Sequence, residues 1–135
     1  MSKTLTCIVA TLLLSLFTQV HASTNAAEAV ALAWLEAIDS GQYEQAWEAS
    51  SPILQRPLSP YMLGRTIGAA RRDFGAVESR QRVRVSRERS MPGAPDGDYM
   101  VFTFQTRFEN KARSIETITP HLEEGTWRVS GYYVK

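Results

Sequence analysis

The sequence predicts an α+β fold in which N-terminal helices pack on a four-stranded antiparallel sheet. Three observations carry the prediction. Apolar residues recur at three- and four-residue spacing as far as Phe74, the pattern turns to strict alternation after Gly75, and the connectors between the alternating runs are rich in Gly, Pro, Asp and Asn. Helices first and a meander of strands afterwards puts the helices on one face of one sheet.

The first element is expected to be removed. Lys3 is followed by Leu5 to Phe17, a run without charge, and then by Val20 and Ala22, small residues at the positions a signal peptidase reads. Met1–Ala22 is therefore read as a secretory signal peptide and Ser23–Lys135 as a single periplasmic or secreted domain. The apolar run is shorter than the roughly 20 residues a membrane span needs, so no span is expected in the mature form. Cys7 lies inside that run with Lys3, Thr4, Leu5 and Thr6 before it, not after small residues at its end, which disfavours a lipoprotein.

Cleavage would take with it the only cysteine, Cys7, and one of the two histidines, His21. The mature chain then forms no disulfide, has no thiol nucleophile, and holds no Cys and His set for zinc. A Ser-His-acid triad is confined to His121. No cofactor is expected.

Asn25 with Glu28 reads as a capping box that opens the first helix. Ala27, Val30, Ala31, Trp34, Leu35 and Ile38 form its buried stripe, and Gly41 ends it. Gln42 to Ala49 is a second, short helix packing Tyr43, Ala46 and Trp47, stopped before Pro52. Ser59-Pro60 caps a third, which buries Leu63, Ile67, Ala70 and Phe74 and closes at Gly75. Val77 to Glu88, Asp98 to Phe108, Arg113 to Leu122 and Thr126 to Lys135 are the strands. Their connectors are Pro92 to Gly97, Glu109 to Ala112, and Glu124-Gly125.

Charge is balanced overall but unevenly placed. Without Lys3, the remaining 14 Lys and Arg equal the 14 Asp and Glu, so no nucleic-acid partner is expected. Ser23 to Gln55 holds Glu28, Glu36, Asp39, Glu44 and Glu48 and no basic residue, whereas Arg65 to Arg89 holds eight arginines against three acids. Either the acidic helices face the basic strand, or the arginines form a binding face for an anionic envelope partner.

The stretch Pro95-Asp96-Gly97-Asp98-Tyr99, with Thr106-Arg107-Phe108, Glu116-Thr117 and Trp127-Arg128-Val129-Ser130-Gly131-Tyr132, resembles the bacterial domain-of-unknown-function family 4019. Ala33-Trp34-Leu35, Asp39-Ser40-Gly41-Gln42-Tyr43 and Ala46-Trp47 fit the same pattern. More broadly the chain is similar to the nuclear transport factor 2-like, or cystatin-like, class, which implies a curved sheet wrapped by helices around a cone-shaped cavity. The resemblance implies a fold and no catalytic residue.

Register singles out one residue. A two-residue turn at Glu124-Gly125 sets Leu122 beside Trp127, Pro120 beside Val129, Ile118 beside Gly131 and Glu116 beside Tyr133, a face that is apolar except for Glu116. That face joins Met100, Phe102, Phe104 and Phe108 if the preceding connection is odd-numbered or bulged. An inward Glu116 near Phe104 would serve as an acid, a base or an anchor for a polar ligand, and Gln in its place would then stabilise the fold. The alternative is a strand-end Glu116, wet or paired with Arg113 or Arg128. Glu116, Tyr133, Phe104, Trp47 and Tyr43 are the candidate ligand-binding residues. Asp96 and Asp98 are too few oxygen ligands for calcium.

With no catalytic pattern, the expected function is that of an exported non-catalytic domain binding a small ligand or an envelope protein through its cavity or sheet face. Two other classes stand beside it. One is an acid–base enzyme of the isomerase or dehydratase type, with Glu116 as base and Tyr133 or Tyr43 as donor. The other is a structural module that forms a homodimer through Tyr99, Val101, Thr103 and Tyr132.

Overall fold

The computed structural model describes residues 23–135, and the expected signal peptide Met1–Ala22 lies outside them. Helix α1 occupies residues 23–39, α2 Tyr43–Glu48, α3 Pro52–Gln55 and α4 Pro60–Ala70. Strands β1 (Val77–Glu88), β2 (Asp98–Phe108), β3 (Lys111–Glu123) and β4 (Thr126–Val134) form an open antiparallel sheet in the order β1-β2-β3-β4. The fold class is α+β, as the sequence predicts.

The α1 stripe is buried at Ala27, Ala31, Trp34, Leu35 and Ile38, against Phe102, Phe104, Ile118 and Val129 of the sheet. Each large apolar side chain removed from water this way stabilises by about 1.5–3 kcal/mol. Gly41 takes φ 72°, its N–H bonds the Ile38 carbonyl at 3.1 Å, and the Gln42 N–H bonds Ala37 at 2.8 Å. This left-handed closure is the predicted stop. Asn25 does not cap, because residues 23 and 24 are already helical.

Helix α3 is too short for periodicity to reveal. Its cap, Ser51, accepts from the Ile53 N–H at 3.2 Å and is followed by Pro52. The Ser51 N–H donates to Val129 at 2.7 Å, and Ser50 forms a parallel bridge to Val129, so this segment lies along β4. Ser59 caps α4 as expected, accepting from the Met62 N–H at 3.2 Å. Leu63 and Ile67 are buried, while Ala70, at the frayed end, is exposed.

The two apolar face sets share one side because β2 and β3 shift register between Thr106 and Phe108. β3 starts at Lys111, two residues earlier than expected, since Glu109 and Asn110 alone make the turn. Glu124 (φ 49°) and Gly125 (φ 79°) form the two-residue hairpin that the sequence demands. β1 carries two further irregularities, between Val77 and Ser79 and between Arg82 and Arg84.

One register expectation is corrected. Leu122 pairs with Trp127 and Pro120 with Val129, but the next pair is Thr119 with Gly131, so Ser130 is an extra residue. Pro120 has no N–H for the ladder, and a proline in an interior strand is accommodated at a bulge. The Ser130 hydroxyl bonds the Thr119 carbonyl there at 2.8 Å. Beyond the bulge Ile118 pairs with Tyr132, Thr117 with Tyr133 and Glu116 with Val134. Tyr132 therefore turns inward and Tyr133 outward, where it is 62% exposed.

Candidate functional site: a cleft beside a buried carboxylate

Glu116 lies across from Phe104 and is fully buried. Its Oε1 accepts from Arg80 Nε at 2.7 Å and from the Thr106 hydroxyl at 2.5 Å, and its Oε2 accepts from the Tyr132 hydroxyl. Inward placement is one of the two readings the sequence left open, conditional on the bulge that β2 and β3 contain, and the strand-end reading is corrected. The partner is Arg80 of β1, not Arg113 or Arg128, and the donor tyrosine is Tyr132, not Tyr133.

The network continues outward. Arg80 holds Asp39 of α1 through two N–H groups at 2.8 and 3.2 Å, and Arg71, just past α4, holds the same carboxylate at 2.8 Å. The Arg71 guanidinium also lies 4.8 Å from the centre of the Phe108 ring. Burial pulls the Arg80 pKa down, but hydrogen bonds to Asp39 and Glu116, with their charges, outweigh it and leave the guanidinium above its usual value. The Tyr132 phenol is pushed well up, first by burial, then by the charge and hydrogen bond of Glu116, so it stays a donor. With three donors and no exposure, the Glu116 carboxylate is closed to a ligand.

Open space begins on the far side of Asp39. A half-open cleft of about 540 Å³ is walled by the end of α1 (Ile38, Asp39), the last turns of α4 (Ile67, Gly68) and the turn after it (Arg71, Arg72), with Tyr43, Ala76 and Val77 at the start of β1 completing it. Two glycines of α4 differ in what they do here. A Cβ on Gly64 would stand 2.8 Å from the Tyr43 ring, so this glycine seats Tyr43. A Cβ on Gly68 would meet nothing within 4 Å. No packing contact therefore requires Gly68, although glycine is among the weakest helix formers.

Among the candidate residues, only Tyr43 lines this cleft. Glu116 and Phe104 are together but enclosed, Trp47 is half-buried with its indole N–H on the Leu58 carbonyl at 2.6 Å, and Tyr133 is on the opposite face. The sequence does not single out Asp39 or Gly68, and Arg71 and Arg72 enter it only within the arginine-rich run Arg65 to Arg89. Gly68, an unneeded glycine inside a helical pattern, was the available signal.

The inward arginines of the sheet are paired, and of the outward ones Arg107 pairs with Glu78 at 2.8 Å. Arg80 pairs with Asp39 and Glu116, Arg82 with Glu28 and Arg87 with Asp98. Arg84, Arg113 and Arg128, turned the other way by strand alternation, have no ion pair or ring contact among the described residues.

On that outer face His121 stacks on Tyr99, with centroids 4.2 Å apart, and its Nδ1 lies 2.9 Å from Glu123. The same Glu123 oxygen accepts from Ser51, and the Tyr99 hydroxyl donates to Pro95 at 2.6 Å. The carboxylate stands between serine and histidine, which is not the order of a nucleophile, base and acid. Tyr99 and His121 are buried, so this end of the outer face is not the wet surface that alternation suggests. Among the described residues no three His, Cys, Asp or Glu side chains gather as a metal-ligand set, and no helix is long and apolar enough to cross a membrane.

A family model described as "Protein of unknown function (DUF4019)" matches residues 30–132. No curated protein and no solved structure matches the chain.

Three outcomes follow from this geometry. Glu116→Gln should lower the unfolding free energy by about 3 kcal/mol or more, because the neutral amide leaves Arg80 short of a counter-charge and sets an N–H against a donor. Urea denaturation reads this, and stabilisation by Gln would contradict it. The raised Tyr132 pKa contributes stability that is complete below the unfolded value near pH 10 and is lost as pH climbs from there toward the folded value, at up to about 1.4 kcal/mol per pH unit. Denaturation midpoints of the parent and Tyr132→Phe should therefore converge above about pH 10. Gly68→Ala should raise stability by up to about 1 kcal/mol, since it gains helix propensity and meets no neighbour.

Proposed function

Since the chain belongs to the DUF4019 family of proteins of unknown function, its activity has to be read from its own geometry, and we propose an exported, non-catalytic domain whose small ligand occupies the cleft between α1, α4 and β1. The observation that carries this reading is the combination of a cleft of about 540 Å³ with a glycine at its rim that packing does not require. Its size falls within the roughly 300–1,000 Å³ of typical ligand pockets. Rigid walls add support, because Asp39 and Arg71 are tied through Arg80 to the sheet and are pre-organised rather than mobile.

Export rests on the charged start, the apolar run and the small residues at Val20 and Ala22, together with a thiol-free remainder. Within the α+β class we assign the nuclear transport factor 2-like, or cystatin-like, arrangement, supported by helices that precede and cover one face of an antiparallel meander. Acid–base catalysis through Glu116 draws no support from a carboxylate enclosed by Arg80, Thr106 and Tyr132. An envelope protein docking on the outer sheet face is the second reading, favoured by the unpaired Arg84, Arg113 and Arg128.

Full-length protein expressed in a bacterium should be recovered from the periplasm beginning at Ser23, and native mass spectrometry should find a small-molecule adduct on it. Gly68→Leu, which fills the cleft from a position with free space, should lose the adduct without losing thermal stability. An intact Met1 in the membrane fraction contradicts export, and an adduct that survives Gly68→Leu contradicts the cleft.

A further inference from the structure

The polar side chains that the cleft has left to offer are hydrogen-bond donors, and only the Tyr43 hydroxyl can also accept. Asp39 is the acidic side chain of the lining, and both its oxygens are engaged, one by Arg71 and Arg80 and the other by Arg80. What remains is the guanidinium of Arg72, which is exposed and has no partner among the described residues, the N–H groups of Arg71 not turned to Asp39, and the Tyr43 hydroxyl. All three donate. Beside them lie the half-buried Tyr43 ring and Val77, which offer apolar surface over the buried Ile38 and Ile67.

A ligand that satisfies this inventory brings an oxyanion for the arginines and an apolar body for the Tyr43 ring and Val77. A cation would find its only carboxylate already spent. The carboxyl ends of α1 and α4 also face the cleft, and each carries about half a negative charge. The turn at Gly41 closes the first, the Gly41 N–H donating to Ile38 and the Gln42 N–H to Ala37. Arg71 and Arg72 follow the second directly, where cations answer a helix dipole.

Resting on the cleft reading above, we infer that its ligand is a small amphipathic anion, with its oxyanion head on Arg72 and Arg71 and its apolar body on the Tyr43 ring and Val77. Arg72 is the specificity residue, since Arg71 is already held by Asp39 and Arg72 is held by nothing.

Octanoate, 1-octanol, octylammonium and acetate separate the head from the body, with amide chemical shifts of the isotope-labelled mature chain as the readout. Octanoate should bind more tightly than 1-octanol or octylammonium, and acetate should give no saturable shift at the cleft. Arg72→Gln should weaken octanoate by about ten-fold, the scale of one lost charge-assisted hydrogen bond, and leave 1-octanol within about two-fold. Gly68→Leu should weaken octanoate and 1-octanol together. If octanol or octylammonium matches octanoate, if acetate saturates the same amides, or if Arg72→Gln changes nothing, the amphipathic anion is overturned while the cleft stands. No shift with octanoate also overturns it, and the native adduct then decides the cleft separately. Octanoate binding that survives Gly68→Leu overturns both.

Discussion

All four strands meet at one carboxylate. Arg80 comes from β1, Thr106 from β2, Glu116 from β3 and Tyr132 from β4, and the three donors enclose the two oxygens of the acid completely. Withdrawing such a pair from water costs several kcal/mol per ion, so the arrangement is favourable only with every partner in place. A slip of one residue in any strand turns its group to the other face and orphans a buried charge. The cluster therefore weighs against mispaired sheets more than it adds to the stability of the correct one. The helices join the same constraint, because Arg80 also grips Asp39, and Asp39 grips Arg71.

Much of this was readable from the residues. Periodicity located α1, the α4 cap and all four strands, and the Glu124-Gly125 turn set the first pairs of the last hairpin correctly. Alternation alone then carried the register too far. Pro120 was the warning, since an interior strand cannot use its missing N–H, and the bulge it accompanies exchanged Tyr133 for Tyr132 beside Glu116. The inward direction of Glu116 followed from pattern once a bulge was granted, but its partner did not. Arg80 reaches it across the one intervening strand, β2, 36 positions away in the chain, and only a three-dimensional register brings them together. Helix α3 escaped for a plainer reason: four residues make about one turn and hold no period.

The uneven charge of the sequence has a divided meaning. Where β1 faces the helices, its arginines and the acids of α1 answer each other, as Arg82 does Glu28 and Arg80 does Asp39. Where strands face outward, Arg107 pairs with Glu78, whereas Arg84, Arg113 and Arg128 have no ion pair among the described residues. The proposed cleft sits at the margin between these regimes, with one wall locked into the buried network and the other, at Arg72, uncommitted. Such a boundary offers rigid positioning and an unspent charge together, whereas the enclosed Glu116 offers only the first.

An open sheet has two unpaired margins, and this one treats them differently. Along β4, the Ser50–Ser51 segment takes up the backbone of Val129. β1 has no such cover among the described elements, but its ladder is broken at two points and arginines stand on either side of the second break. A long flat strand with free N–H and C=O groups is a template on which another chain can grow, and bulges and cationic side chains spoil that template. Arg82, beside the second break, thus serves twice: it ties Glu28 of α1 to the sheet and sets a cation next to an irregular edge.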